Sequence, residues 1–155
     1  MTATADAGPS GPREMFDRLL PMFLDKDLNG FADLFTEDGV HELPFAPPGV
    51  PHRIQGRENI RGYLTAITDT PLAHKEFRSV TVYETDDPDV AVAEYDAHGV
   101  VTTTGQLYVL RYLQIMRVSG GQIASWRDYW SPLEGIRLLG RLPQLISALS
   151  EKDNA

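Results

Sequence analysis

The run Trp126-Arg127-Asp128-Tyr129-Trp130 sets one carboxylate between two indoles at alternate positions. Side chains two apart share a face of a strand, so Trp126, Asp128 and Trp130 stand together. A carboxyl among aromatic rings loses hydration. Its charged form is disfavoured, and its pKa rises toward the range where it can give or take a proton. The plainer reading is a surface acid on an edge strand with its indoles half buried, because Asp seldom lies inside without a partner. The two readings differ in whether this face lines a cavity.

Other residues fall within reach of that face. The segment from Gly105 to Pro132 reads as two long strands joined by a tight Ser119-Gly120-Gly121 turn. Tyr108, Tyr112 and Gln114 share one face of the first of these strands and can form a wall with Asp128. A tyrosine hydroxyl there suits donation to an oxyanion or enol, although both tyrosines are also ordinary strand aromatics. Arg111 faces the other way and reads as an outer ion-pairing residue. Glu94, Asp96 and His98 alternate along another strand, with Ala93, Tyr95 and Ala97 opposite. Two acids and an imidazole could form a proton relay or a metal site, but a solvated outer face is the simpler reading for Glu94 and Asp96. His98 precedes Gly99, where the sheet could bend inward, so it joins Asp128 and Tyr108 as a catalytic candidate. No further residue has ligand spacing, and no metal is expected. His41 is expected to point inward with Glu42 outward. His52 and His74 lie in or next to loops and read as surface residues. No Gly-rich phosphate loop, nucleophile elbow or zinc helix motif is present.

The elements that must position these residues follow from periodicity. Ser10 can cap a helix with Pro12 in its first turn, followed by Met15, Phe16, Leu19, Leu20, Phe23 and Leu24 at helical spacing. Pro21 should kink or interrupt that helix. Asp27 can cap a second short helix bearing Leu28, Phe31, Leu34 and Phe35, with Gly39 as its stop. Residues 40–45 read as a short strand running into a proline-rich loop. A third amphipathic helix follows Gly56, with Ile60, Tyr63, Leu64 and Ile67 on its face. From Phe77 the period becomes two, giving strands at 77–84, 90–104, 106–118 and 122–130. Residues 133–149 are apolar but broken by Gly135, Gly140 and Pro143, which favours short helical turns. Helices first and an antiparallel meander afterwards make an α+β fold. A twisted sheet of this kind can curl around the helices and leave a pocket.

Composition sets outer limits. The 155 residues suit one domain, placed at 12–149 between a disordered lead-in (1–11) and a disordered tail (150–155). There is no cysteine, hence no disulfide or thiolate chemistry, which fits the cytoplasm. A formal net charge of −8 argues against a nucleic-acid surface. No apolar run approaches a transmembrane length, and the first ten residues lack the pattern of a signal peptide.

Four segments resemble a known superfamily. Residues 33–40 (DLFTEDGV), 54–60 (IQGRENI), 82–89 (VYETDDPD) and 120–132 (GGQIASWRDYWSP) are similar to the nuclear-transport-factor-2-like proteins. Within these, the chain looks most like the SnoaL-like polyketide cyclases and the phenazine-biosynthesis A/B proteins, over roughly residues 14 to 140. The resemblance implies a cone-shaped fold, a curved antiparallel sheet wrapped around N-terminal helices. It is weak for the reaction, since that fold hosts isomerases, dehydratases, cyclases, epoxide hydrolases and binding modules. Asp128 falls where the phenazine proteins have a general-acid Glu, and Tyr63 falls near their His. Around Asn29 and Gly30 nothing matches their substrate-binding Arg. The acid position is therefore kept in type and the amine-condensing site is not.

The expectation is an apolar pocket lined by Trp126, Trp130, Tyr63, Tyr108, Tyr112 and Phe45, with His41 and Gln114 among its few polar groups. Such a pocket suits cofactor-free acid/base chemistry on a hydrophobic small molecule of secondary metabolism. Asp128 would be the acid or base, partnered by a Tyr or His98. The alternative is a non-catalytic ligand-binding or accessory protein, and a titrating partner beside Asp128 would separate the two. The resemblance implies a homodimer through the outer sheet face, where Arg111, Leu113 and Ile115 lie.

Overall fold

The computed structural model describes residues 11–154, so the Ser10 cap and nearly all of the expected lead-in lie outside the described residues. The elements are α1 (Pro12–Leu24), α2 (Leu28–Asp33), β1 (Phe35–Glu42), β2 (Arg53–Gln55), α3 (Arg57–Ile67), β3 (Leu72–Glu84), β4 (Val90–Val101), β5 (Leu107–Ser119), β6 (Gln122–Trp130), α4 (Pro132–Leu138) and α5 (Leu142–Asp153). One six-stranded sheet runs β2-β1-β6-β5-β4-β3. All neighbours are antiparallel except β1 and β6, which pair in parallel. The fold is thus α+β, a curved open sheet with helices against it.

Alternation along the strands builds the two faces. On β4, Ala91, Ala93, Tyr95, Ala97, Gly99 and Val101 all face inward, and every residue between them faces out. These mostly small inward residues leave room for the helices and for long side chains from β5. The β5–β6 hairpin closes through Gly120 and Gly121, with φ of 57° and 76°. Two consecutive left-handed residues are what a two-residue hairpin turn of matching twist requires, and glycine adopts them without strain.

The helices bury their apolar stripes against this face. Met15, Phe16 and Leu19 of α1 are fully buried. Phe16 and Phe31 both meet the Trp126 ring, at centroid distances of 5.7 and 5.3 Å. Trp126 is therefore a hub of the core as well as part of the tryptophan face, and removing such a ring costs about 3–5 kcal/mol. Asp27 caps α2 by accepting from the Gly30 amide at 2.9 Å. Ser131 caps α4 in the same way, accepting from the Glu134 amide at 3.3 Å, with Pro132 in the first turn.

Three expectations are corrected. The first helix is not interrupted at Pro21 but continues to Leu24, held by the burial of Met15, Phe16, Leu19 and Leu20 on its inner side while the proline is exposed. The first strand begins at Phe35, earlier than residue 40, since the second helix stops at Asp33. The C-terminal segment forms two helices, and α5 runs on through Glu151, Lys152 and Asp153, which had been expected in a tail.

Candidate functional site

A cavity of about 440 Å³ lies between the inner face of the sheet and α1–α4. Trp126, Asp128 and Trp130 of β6 all line it, as do Tyr112 and Gln114 of β5, Tyr95 of β4, His41 of β1 and Tyr63 of α3. The strand period brings the β6 trio together. Trp130 is fixed from above by α4, where a Cβ at Gly135 would stand 2.9 Å from its ring.

Asp128 is the one acid of this lining. Its Oδ1 accepts from Gln114 Nε2 at 3.0 Å. Gln114 is itself buried and oriented, because its Oε1 accepts from the Tyr95 hydroxyl at 2.9 Å. Burial pushes the Asp128 carboxyl up to about 6, and the Gln114 hydrogen bond, which favours the charged form, opposes part of that rise. Asp128 in turn raises Tyr63 and Tyr112, in each case second to burial, so both phenols feel its charge. The Tyr112 ring stacks on Tyr95 at 5.5 Å.

The polar lining also includes two histidines, Lys26, Arg141, Thr68 and Thr70. His41 is buried, with neither ring nitrogen hydrogen-bonded. Its ring meets Tyr63 edge-on at 5.9 Å. Burial lowers its pKa to about 4, so it is neutral at physiological pH. Glu42, next along the strand, points away and pairs with Arg53 at 3.0 Å. His74 sits between two tyrosines, with Nδ1 2.9 Å from Tyr108 Oη and Nε2 3.3 Å from Tyr112 Oη. Burial, with the Lys26 charge second, lowers it to about 4.

Placement departs from expectation at several positions. His74 was read as a surface residue and lines the cavity. His98 lies on the outer face opposite Val109, because the alternation runs unbroken through Gly99 and no inward bend occurs. Glu94 and Asp96 share that outer face, bonded to Tyr83 at 2.9 Å and Arg111 at 2.8 Å. Phe45 is 60% exposed and packs edge-on against Tyr129, which is on the opposite face of β6 from Asp128. Tyr108 is buried at the cavity's edge and reaches it only through His74. Tyr112 and Asp128 share a wall and Tyr108 does not join them, and the hydrogen-bond partner of Asp128 is an amide and not a titrating group. Among the described residues no three His, Asp or Glu gather as metal ligands, and no helix is long and apolar enough to cross a membrane.

Comparison with known proteins decides the family. The profile of the SnoaL-like domain matches residues 13–126. The chain belongs to this SnoaL-like family. It is 36% identical over 128 residues to a PhzA/B-like protein of Pseudomonas aeruginosa, covering 83% of this chain and 89% of that one. A phenazine biosynthesis protein, PhzB of Pseudomonas fluorescens, is 29% identical over 70% of this chain and 68% of its own length. Among solved structures, a Bacillus subtilis protein provisionally described as an isomerase superposes with a TM-score of 0.77 at 31% identity, covering 83% and 92% of the two chains. The phenazine biosynthesis-related PhzB2 of Pseudomonas aeruginosa gives 0.61 at 22% identity over 80% and 84%, a likeness of fold. The SnoaL-like and PhzA/B-like resemblance and the nuclear-transport-factor-2-like fold read from the sequence are thus shown.

Proposed function

We propose that the protein is a cofactor-free acid/base enzyme acting on a hydrophobic small molecule, with Asp128 moving the proton. The cyclase, isomerase, dehydratase and epoxide hydrolase types all use such a group. One observation carries the reading: a single carboxyl stands between two indoles in a cavity lined mostly by apolar and aromatic side chains, with its pKa pushed up to about 6. A carboxyl poised there is substantially ionised at neutral pH, yet basic enough to retain an abstracted proton briefly. The surrounding rings reduce the hydration of the carboxyl, and Gln114 fixes which oxygen is free to reach the substrate. Tyr63, Tyr112, Trp126 and Trp130 would hold the apolar body, and His41 would meet a polar group of the ligand.

The test is Asp128→Asn assayed on a pathway substrate identified from neighbouring genes or a co-purified ligand. Turnover should fall by about a hundredfold or more with ligand binding nearly unchanged. Normal turnover would end the reading. A second reading, a non-catalytic binding protein of the same fold, is favoured by the identity of the Asp128 partner, since Gln114 cannot exchange protons. On that reading Asp128→Asn weakens binding and no chemistry is found.

We further infer a cytoplasmic homodimer formed through the outer face of the sheet. Leu107, Val109 and Leu113 of β5 are exposed there, with Leu107 at 81%. An apolar stripe of this length on a solvent-facing sheet is a natural site for a second copy.

A further inference from the structure

We propose that Tyr108, His74 and Tyr112 form a one-way hydrogen-bond relay that presents the Tyr112 hydroxyl as a donor to an oxygen of the bound ligand. This rests on the reading of the cavity as the ligand site, and it assigns that site a second polar contact on the same wall as Asp128.

The direction of the relay follows from which hydroxyl can find an acceptor. A neutral imidazole has one N–H and one bare nitrogen, so His74 donates to one tyrosine and accepts from the other. Tyr108 is 7% exposed, packed with Val101, Leu110 and Leu138. Among the described residues its hydroxyl has His74 as its one hydrogen-bond partner. If Tyr108 accepted from Nδ1–H, its own hydrogen would be buried without an acceptor, which is costly. If it donates to Nδ1, that need is met. His74 then carries its proton on Nε2 and donates to Tyr112 Oη, 3.3 Å away. Tyr112 lines the cavity, so its hydrogen is left to point at whatever fills the space. Each bond in such a chain polarises the next, making the last hydroxyl a better donor than an isolated phenol.

The fold is shaped for this arrangement. Tyr108 faces Gly99 across the β4–β5 ladder and crosses above it to reach His74 on β3. A Cβ at Gly99 would lie 2.4 Å from the Tyr108 hydroxyl and 2.4 Å from the Ala73 carbonyl oxygen, so any other residue closes that path. Tyr112 crosses Tyr95 in the same direction, stacked on its ring.

A hydroxyl donor and a carboxylate on one wall fit a ligand whose carbonyl oxygen gains charge during reaction. Asp128 takes a proton from the carbon beside the carbonyl. The C–H pair becomes a carbon–carbon double bond, and the carbonyl π pair moves onto oxygen, where Tyr112 meets it. The proton on Asp128 then returns to the ligand. Tyr112 touches the ligand, whereas His74 and Tyr108 are positioning residues.

Two measurements test this. Nitrogen-15 spectra of imidazole-labelled protein, with the His74 signals assigned by their loss in His74→Gln, should show the proton on Nε2; a proton on Nδ1 overturns the relay. The second measurement uses 4-nitrophenolate as an oxyanion mimic and nitrobenzene as its neutral counterpart, both titrated into Asp128→Asn protein. Tyr112→Phe should weaken the phenolate by about tenfold, the scale of a hydrogen bond to a charged group, and leave nitrobenzene within twofold. Tyr108→Phe should weaken the phenolate by a smaller factor, about threefold. Equal losses for both probes, no loss, or no phenolate binding at all overturn the donor. These readings are independent of turnover, so a failed donor and a failed acid/base reading are told apart.

Discussion

Gln114 and Asp128 face each other directly across the β5–β6 ladder, and the Gln114 amide donates to Asp128 Oδ1 at 3.0 Å. The amide cannot flip without losing the Tyr95 hydroxyl on its other side. The carboxyl is therefore held in one orientation by a group that never changes charge. Gln114→Leu should raise the Asp128 pKa above 6, because the bond that favours the charged form is gone. Carbon-13 titration of the side-chain carboxyl measures this, and an unchanged value would contradict it. The Tyr95 hydroxyl loses its partner in the same variant, so stability should fall by about 1–3 kcal/mol.

Asp128→Asn should stabilise the fold at neutral pH. The folded pKa of about 6 lies above the ordinary 3.8, so the contribution of Asp128 is complete below pH 4 and lost as pH rises through 6. The gain in the variant should reach up to about 3 kcal/mol near pH 7 and shrink toward zero near pH 4. Urea unfolding of both proteins across that range checks the sign. A larger gain at pH 4 than at pH 7 would refute it.

His41 works in the opposite sense. Its folded pKa of about 4 is below the ordinary 6.5, so the stability it permits is present at neutral pH and lost as pH falls from 6.5 to 4. His41→Phe should remove up to about 3 kcal/mol of that acid sensitivity. It should also add about 1 kcal/mol at pH 7, since two unpartnered nitrogens leave the interior. Half-buried His74 keeps part of the acid limb in the variant. A Tm profile identical to the parent between pH 4 and 7 would rule this out.

Gly99→Ala should destabilise by about 1–3 kcal/mol, the usual cost of forcing extra volume into a packed position. The added methyl meets the Tyr108 ring and the Ala73 carbonyl at 2.4 Å, so one of them must shift. Tm measures the cost, and the His74 nitrogen signals should shift with it as Tyr108 is displaced. An unperturbed Tm would mean that β4 relaxes freely there.

Val109→Lys and Leu113→Lys together should give a folded monomer if the outer face of the sheet is the dimer surface. Light scattering should report twice the chain mass for the parent at high micromolar concentration. A parent that is monomeric there would end the inference.

Much of this was legible in particular residues. The Trp126-Asp128-Trp130 face could be read because β6 alternates strictly from Ser125 to Trp130, beyond the register shift between Ile123 and Ser125. Glu94 and Asp96 could be placed outside for the same reason. His74 could not. The sequence before Phe77 shows no alternation and so places the start of β3 at Phe77, whereas the strand begins at Leu72. Register shifts between His74 and Glu76, so counting back in twos from Phe77 puts His74 on the wrong face. Phe45 failed for a different reason: β1 ends at Glu42, and the chain beyond it turns outward onto Tyr129. The Gly99 signal was real but misassigned, for the glycine makes room for Tyr108 and does not bend the strand.

The parallel pairing of β1 with β6 has a kinetic meaning. Strands β3 to β6 join neighbours in sequence, whereas His41 of β1 pairs with Trp126 far along the chain. Loop closure over that span is slow compared with hairpin formation. During synthesis the strand bearing His41 has no neighbour on its β6 side until the ribosome has released nearly the whole protein. The expected order is hairpins first and the β1–β6 seam last, so pulsed hydrogen exchange should protect β4 and β5 amides before those of Val40 to Glu42. Reversed protection would refute it. A nascent chain stalled before Gln122 therefore has no ligand chamber to fill, and ligand can assist only the final step of its maturation.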